Sequence, residues 1–279
     1  MDVYAIITNK IIEKLESGVI PWKKPWIGGK GAFNRITGKP YSMLNQMLLE
    51  HDGEYLTYNQ IVSLGGTVKK GAKSEMVVFF KMNEYIEKNE DDEEIVKKYP
   101  VLRYYRVFHI SNVDGIEPLE VEPTLDVDAE KDAFWEVEQA VSKYLTSTHI
   151  TYRVSERHEA CYIPSKDVIE LPAANTFISM NEYYSTLFHE IIHSTGHESR
   201  LNRTIKNGFG NENYAKEELV AELGSVFLNN HYGVETNNTF DNSAAYIQSW
   251  LKALKNDKKL IVSASTHAEK AANFVLAVA

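Results

Sequence analysis

The apolar positions of residues 2–17 fall three and four apart, at Val3, Ile6, Ile7, Ile11 and Leu15, which predicts an amphipathic helix with Asp2 at its start and Gly18 at its stop. The pattern then breaks into a Pro-, Trp- and Gly-rich stretch, Pro21 to Gly31, that reads as loop. Tyr41 to His51 is a short helical candidate. Thr57-x-x-Gln60 has the form of a capping box opening another helix, which ends at Gly65-Gly66. Met76 to Lys81 and Arg103 to Ile110 are rich in Val, Phe and Tyr and predict strands, with a solvated acidic loop, Glu90 to Glu94, between them. Residues 114–130 lose all periodicity and carry Asp, Glu and Pro, the composition of a linker. Helical spacing returns at Ala129 to Tyr144, with Phe134, Val137, Val141 and Leu145 on one face. Three short strands are predicted at Ile150 to Val154, Ala160 to Ile163 and Val168 to Leu171. Beyond them the pattern is helical throughout, over about 180–195, 214–231, 242–256 and 265–277.

The predicted class is α+β. A small mixed domain (1–115) is followed by an acidic linker (116–128) and a mainly helical domain with a short sheet (129–279). A length of 279 residues suits two such domains. No apolar run reaches the ~18 residues that span a bilayer, and Met1-Asp2-Val3-Tyr4 lacks the basic, apolar and small-residue pattern of a secretory signal. The one cysteine, Cys161, permits neither an internal disulfide nor a cysteine-rich zinc site. A cytoplasmic protein with no membrane partner is expected. Charge divides the chain further. Residues 1–115 hold 16 Lys and Arg against 15 Asp and Glu, and the remainder 14 against 24; within 10–82 the balance is 11 against 6. A locally basic front end can meet a polyanion that the acidic rear would repel.

The strongest chemical signal is His189-Glu190-Ile191-Ile192-His193. Histidines four apart on a helix project from one face, so both imidazoles can bind one metal ion, and Glu190 can reach a bound water as general base. The frame is helical: Ser179-x-x-Glu182 can cap the start, and Gly196 fits the stop. A zinc site needs a third protein ligand. His197 is one candidate. The extension H-E-x-x-H-x-x-G-x-x-H fails, because residue 199 is serine. An acidic pair in a later, largely apolar helix is the other candidate, since unpaired carboxylates are costly there. Glu218 is taken as ligand and Glu222 as the carboxylate steadying a ligand histidine, with the reverse as the alternative. Such a site, with one Zn2+ (or another divalent transition metal) per chain, lowers the pKa of water toward ~7 and polarises a carbonyl while Glu190 moves the proton. Peptide hydrolysis of a protein substrate, of unknown identity, is the reaction it suggests. Tyr162, Tyr184 or His197 could face the oxyanion.

In the front half, Trp22-Lys23-Lys24-Pro25-Trp26 and then Asn34, Arg35, Lys39 and Tyr41 interleave aromatics with cations, and Lys69-Lys70 adds a basic turn. Single-stranded nucleic acid asks for that combination, cations for phosphates and aromatic faces for unstacked bases.

These motifs together resemble the ArdC-type antirestriction proteins of plasmids and other mobile elements. In the front half the likeness runs through Trp22 to Trp26, Asn34 to Tyr41, Asn45 and Thr57 to Gly71. In the rear it runs through Tyr162 to Leu171, HEIIHSTGH at 189–197, Arg200-Leu201, Glu217 to Leu228 and Ser249 to Leu251. The rear is also distantly similar to the Spartan/SprT and ImmA/IrrE zincins, the latter with an acidic third ligand, which favours Glu218. The resemblance implies a single-stranded-DNA-binding front domain, a zincin metallopeptidase rear domain, and protection of entering DNA from host restriction during conjugation. Two other readings stand beside it. One is a DNA-shielding protein whose zinc is only structural. The other is a stand-alone zinc protease with a peptide-binding front domain.

Overall fold

The computed structural model describes residues 2–22, 31–88, 94–119, 129–155, 159–203, 212–234 and 243–279. By contacts the chain forms two units, Met1–Ile7 with Lys30–Glu120, and Thr8–Gly29 with Val121–Ala279.

The first unit is built on a four-stranded sheet ordered β1-β2-β5-β4, from Ala32–Asn34 (β1), Gly53–Thr57 (β2), Glu75–Lys88 (β4) and Glu94–His109 (β5). β1 runs parallel to β2; the other pairs are antiparallel. A two-residue strand at Thr67–Val68 (β3) pairs with Val113–Asp114 (β6). Two short helices, Met43–Leu48 (α2) and Tyr58–Ser63 (α3), cover the sheet. The capping box is present in full: Thr57 Oγ1 accepts from the Gln60 N–H, and Gln60 Oε1 accepts from the Thr57 N–H at 2.8 Å. Asn45 sits in the role of a missing strand, its amide bonding both N–H and C=O of Val78 at 2.7 and 2.8 Å.

Two strands here differ from expectation in length. β4 and β5 run unbroken from Glu75↔Val107 to Lys88↔Glu94, so Glu94, the last residue of the expected loop, is strand, while residues 89–93 lie outside the described part. β-Branched and aromatic residues at Tyr85, Ile86, Ile95, Val96 and Tyr99 carry the pairing past the charged positions. β2 meets β5 only over Val107–His109. Beyond Val78 the pair therefore continues as a two-stranded ribbon.

The second unit holds helices Ala129–Thr148 (α4), Met180–Ser194 (α5), Glu212–Tyr232 (α6), Ser243–Asn256 (α7) and Leu260–Val278 (α8). Its sheet is ordered β7-β9-β8, from Thr151–Val154 (β7), Cys161–Ile163 (β8) and Val168–Leu171 (β9), with β7 parallel and β8 antiparallel to β9. The first helix, Val3–Glu16 (α1), groups with this unit from Thr8 onward. Thr8 Oγ1 donates to the Lys258 carbonyl at 2.7 Å, and Trp22 packs edge-on against Trp250 with centroids 5.3 Å apart. α8 begins five residues earlier than its pattern suggested because Leu260, Ile261 and Val262 are all buried. No described helix is long and apolar enough to cross a membrane.

α6 is the central helix, packed on α5 and α8 and apolar nearly all round through Leu219, Val220, Ala221, Leu223 and Leu228. Its approach to α5 depends on Gly224, where an added Cβ would lie 2.9 Å from three atoms of Ile192. Gly224→Ala gains ~1 kcal/mol of helix propensity, but forcing a methyl into a packed contact costs about 1–3 kcal/mol. A net loss of roughly 1 kcal/mol is expected in urea unfolding, together with weaker metal binding, because Ile192 adjoins His193.

Candidate metal centre

α5 carries the histidines and α6 the carboxylates, so the site depends on how these helices are pinned. Ser179 Oγ accepts from the Glu182 N–H at 3.2 Å, which caps α5. The rest of the expected box is displaced by one residue, since the Glu182 carboxylate accepts from Ile178 N–H. At its other end α5 does not stop on a left-handed glycine. Ser194 is followed by tight turns in which Gly196 and His197 N–H bond the carbonyls of His193 and Ser194, and Asn202 takes the positive φ of 47°. Two arginines from this turn fasten the helix. Arg200 Nε donates to the Ser194 carbonyl, and its guanidinium grips Asp167, at the β8–β9 turn, and the Tyr162 hydroxyl. Arg203 donates to the Ile192 carbonyl and Thr195 Oγ1, and forks onto both oxygens of Glu217 at 2.7 and 3.2 Å.

These contacts bring His189, His193 and Glu218 together, one ligand atom each within 4.8 Å of the others. The imidazole Nε2 atoms are 3.1 Å apart, and Glu218 oxygens lie 3.4 Å from His189 Nε2 and 3.5 Å from His193 Nε2. Ligand atoms ~2.0–2.1 Å from one tetrahedral ion sit about 3.3 Å from one another, so the donor set fits a divalent ion of zinc's size and leaves a position open.

The protonation pattern agrees. Burial opposes charge on His193, but its bonds to Glu217 and Glu218 outweigh burial and push it up to about 10. His189 is raised in the same sense: burial again works against it, and Glu218 outweighs it. Glu218 and Glu217 are held below the usual carboxylate range despite burial, Glu218 by both histidines and Glu217 by His193 and Arg203. In the metal-free chain, protons supply the positive charge that these acids require.

The carboxylate on His193 Nδ1 is Glu217, at 3.4 Å. Glu217, one residue before Glu218, thus supports His193 from a position the spacing did not single out, and Glu222, expected in that role, is buried a turn further along α6. Arg203, which orients Glu217, was not singled out either. Its signal was a lone arginine after HEIIHSTGH, which helical spacing cannot connect to a glutamate fourteen residues on. Glu190 is buried beside the pair, close enough for its charge to bear on both imidazoles. The three oxyanion candidates have these partners. The Tyr162 hydroxyl donates to Asp167, the Tyr184 hydroxyl donates to Glu138, and His197 Nδ1 meets Ser199.

The front-half residues singled out for nucleic acid are scattered by role. Trp22 is 1% exposed, its ring buried against Trp250, so it closes a core and offers no face to a base. Lys23, Lys24 and Trp26 lie outside the described residues. Asn34 Oδ1 accepts from the N–H groups of Ile36 and Thr37 and builds the turn after β1. Arg35 is ion-paired to the buried Glu54, and Tyr41 packs edge-on to Tyr55. Lys39 and Lys70 are exposed, and Lys69 reaches the Ser111 carbonyl.

An H-E-x-x-H helix facing a glutamate on the next helix, following a separate α/β unit in the chain, defines a zincin-like metallopeptidase domain joined to an accessory domain. A family model described as zincin-like metallopeptidase matches residues 139–267, and one described as the N-terminal domain of anti-restriction factor ArdC matches residues 1–108. Two crystal structures of antirestriction protein ArdC from plasmid R388 are similar along nearly the whole chain. The metal-free one is 35% identical with a TM-score of 0.73, covering 99% of this chain and 97% of that one. The Mn(II)-bound one is 34% identical with a TM-score of 0.74, covering 99% and 98%. An uncharacterised protein, y4eC, of Sinorhizobium fredii is 30% identical over 98% of this chain and 91% of its own. DNA primase TraC of Escherichia coli is 35% identical over 97% of this chain, but the match spans only 27% of the primase. The chain belongs to the ArdC antirestriction family.

Proposed function

We propose that this is an intracellular antirestriction protein of a mobile element. Its first unit holds single-stranded DNA, and its second hydrolyses peptide bonds at a divalent-metal site, with zinc as the working ion. The observation that supports the enzymatic half is the convergence of His189, His193 and Glu218 beside Glu190. The family's Mn(II)-bound member supports occupancy by a divalent transition ion. The excess of cations over residues 10–82, with Lys39, Lys69 and Lys70 on the surface, supports the binding half.

The three ligands would hold the ion, which when bound supplies Lewis acidity toward a carbonyl and toward water. The protein's own residues do the rest. Glu217, braced by Arg203, fixes the His193 ring and its tautomer, so that Nε2 faces the site. Glu190 accepts a proton from the attacking water and passes it to the leaving amine, general acid–base work worth about 10²–10⁴ in rate.

Glu190→Gln is expected to keep one ion per chain and lose protein cleavage by at least ~100-fold, measured on a denatured protein substrate with and without oligonucleotide. Metal retention with unchanged antirestriction in a conjugation assay would instead assign the ion a purely structural role. Affinity for oligonucleotides should fall steeply with salt; a chain that retains none at low salt overturns the DNA half.

A further inference from the structure

The β4–β5 ribbon carries chemistry that neither catalysis nor the core uses. The pleat alternates side chains between two faces, and the register places Phe79 opposite Arg103, Val77 opposite Tyr105, and Tyr85 opposite Lys97. Phe79, Lys81, Tyr85, Tyr99, Arg103 and Tyr105 therefore share one face. Tyr85 and Tyr99 confirm the parity, their rings meeting across the strands at 5.8 Å. All four aromatics on this face are 44–50% exposed, and Lys81 and Arg103 are exposed between them. Among the described residues, the acids on the face are engaged. Glu87 is ion-paired to Lys97, and Glu75, at the base, accepts from the Tyr55 hydroxyl and the Glu50 N–H. The opposite face has one exposed ring, Tyr104, near Arg106 at its base; further out it presents the aliphatic Ile86 and Val96, and Lys98 is neutralised by Glu84 at 2.7 Å.

We propose that single-stranded DNA lies along the Phe79–Tyr99 face of this ribbon, its bases stacking on the exposed rings and its phosphates meeting Arg103 and Lys81. The assignment rests on the reading of the first unit as a nucleic-acid binder and names the surface that does it. Half-exposed aromatic rings in line with unpaired cations fit a ligand that is polyanionic and has flat apolar faces. A protein partner would favour the aliphatic face instead. Phe79 and Tyr85 are six residues apart on one strand, ~20 Å, room for several extended nucleotides.

The test uses the full chain and a fluorescein-labelled oligothymidylate of about 20 nucleotides, read by anisotropy at several salt concentrations. Phe79→Ala and Tyr99→Ala should each weaken binding roughly 5- to 100-fold, while Tyr99→Phe, which keeps the ring, stays within about twofold. Arg103→Ala should reduce the slope of log affinity against log salt by about 0.7, one phosphate contact fewer. Tyr104→Ala and Ile86→Ser, on the other face, should bind as the unaltered chain does. Unchanged affinity in Phe79→Ala, Tyr99→Ala and Arg103→Ala, with normal binding by the unaltered chain, overturns the surface and leaves the DNA-binding reading standing. Equal losses from the opposite-face variants also overturn it. An unaltered chain that does not bind removes both.

Discussion

Glu218→Ala is expected to release the divalent ion from a chain that still folds and still has both histidines. Supporting carboxylates are worth about 10- to 100-fold in metal affinity, so losing one of three direct ligands should cost more than 100-fold, read by chelator competition and by metal content after dialysis. Glu217→Gln, which removes only the charge behind His193, should fall within the 10- to 100-fold range and still fill at saturating metal. Glu222→Gln should cost less than either. The order Glu218, Glu217, Glu222 follows from the distances: Glu218 oxygens lie 3.4 and 3.5 Å from the Nε2 atoms, and Glu217 lies behind Nδ1. Retention of full metal by Glu218→Ala, with loss in Glu222→Ala, would restore the alternative ligand assignment. Acidity adds a second readout. His189 and His193 are raised in the metal-free site, His193 up to about 10, so metal uptake near neutral pH must expel protons. Affinity should therefore rise with pH by up to tenfold per unit for each proton displaced, and calorimetry in buffers of different ionisation enthalpy counts those protons.

What was legible in the chain was whatever local spacing encodes. The four-residue spacing of His189 and His193 places two imidazoles on one face wherever the helix goes, and burial of α6 could be read from Leu219 to Leu228, which made its acids conspicuous. The choice among those acids was harder. Glu217, Glu218 and Glu222 differ only in rotation about one helix, and which of them meets His193 Nδ1 is decided by a long-range contact, the fork of Arg203. The same limit applies to Trp22. Its neighbours Lys23, Lys24 and Pro25 suggested an exposed binding loop, while its burial comes from Trp250, more than two hundred residues away. The ribbon shows the converse. Glu87, Lys88, Lys97 and Lys98, and Glu94 at the end of the expected loop, are in strand, because pairing with a partner strand overrides local polarity once aromatic and β-branched residues supply the cross-strand contacts. β1 and β2 escaped notice because one has three residues and the other runs straight into the capping box of α3 with no turn between them.

Arg203→Met should be the most destabilising single change in the second unit outside its apolar core. The Arg203 and Glu217 side chains are only 7% and 9% exposed, so the substitution strips a buried carboxylate of its arginine, leaving it His193 alone, and removes the donors that Thr195 and the Ile192 carbonyl now use. Breaking a buried pair from one side costs about 3–5 kcal/mol, whereas replacing both partners is often neutral. Metal-free Arg203→Met is therefore expected to unfold at a Tm lower by roughly 10 °C, and the double variant Arg203→Met, Glu217→Leu should regain much of the loss while keeping its metal deficit. The sign of the pH dependence follows from Glu217. Its folded pKa lies below the unfolded value, so its contribution is complete above about pH 4.5 and is lost as pH falls through the folded pKa. Without Arg203 the burial that opposes its charge is less well countered, and its folded pKa rises. The deficit of Arg203→Met should then be largest at neutral pH and shrink on acidification, as Glu217 takes up a proton in the variant first. A deficit that stays constant from pH 7 to below ~4.5 would mean that packing of the arginine stem, and not its charge, holds α6 to the end of α5.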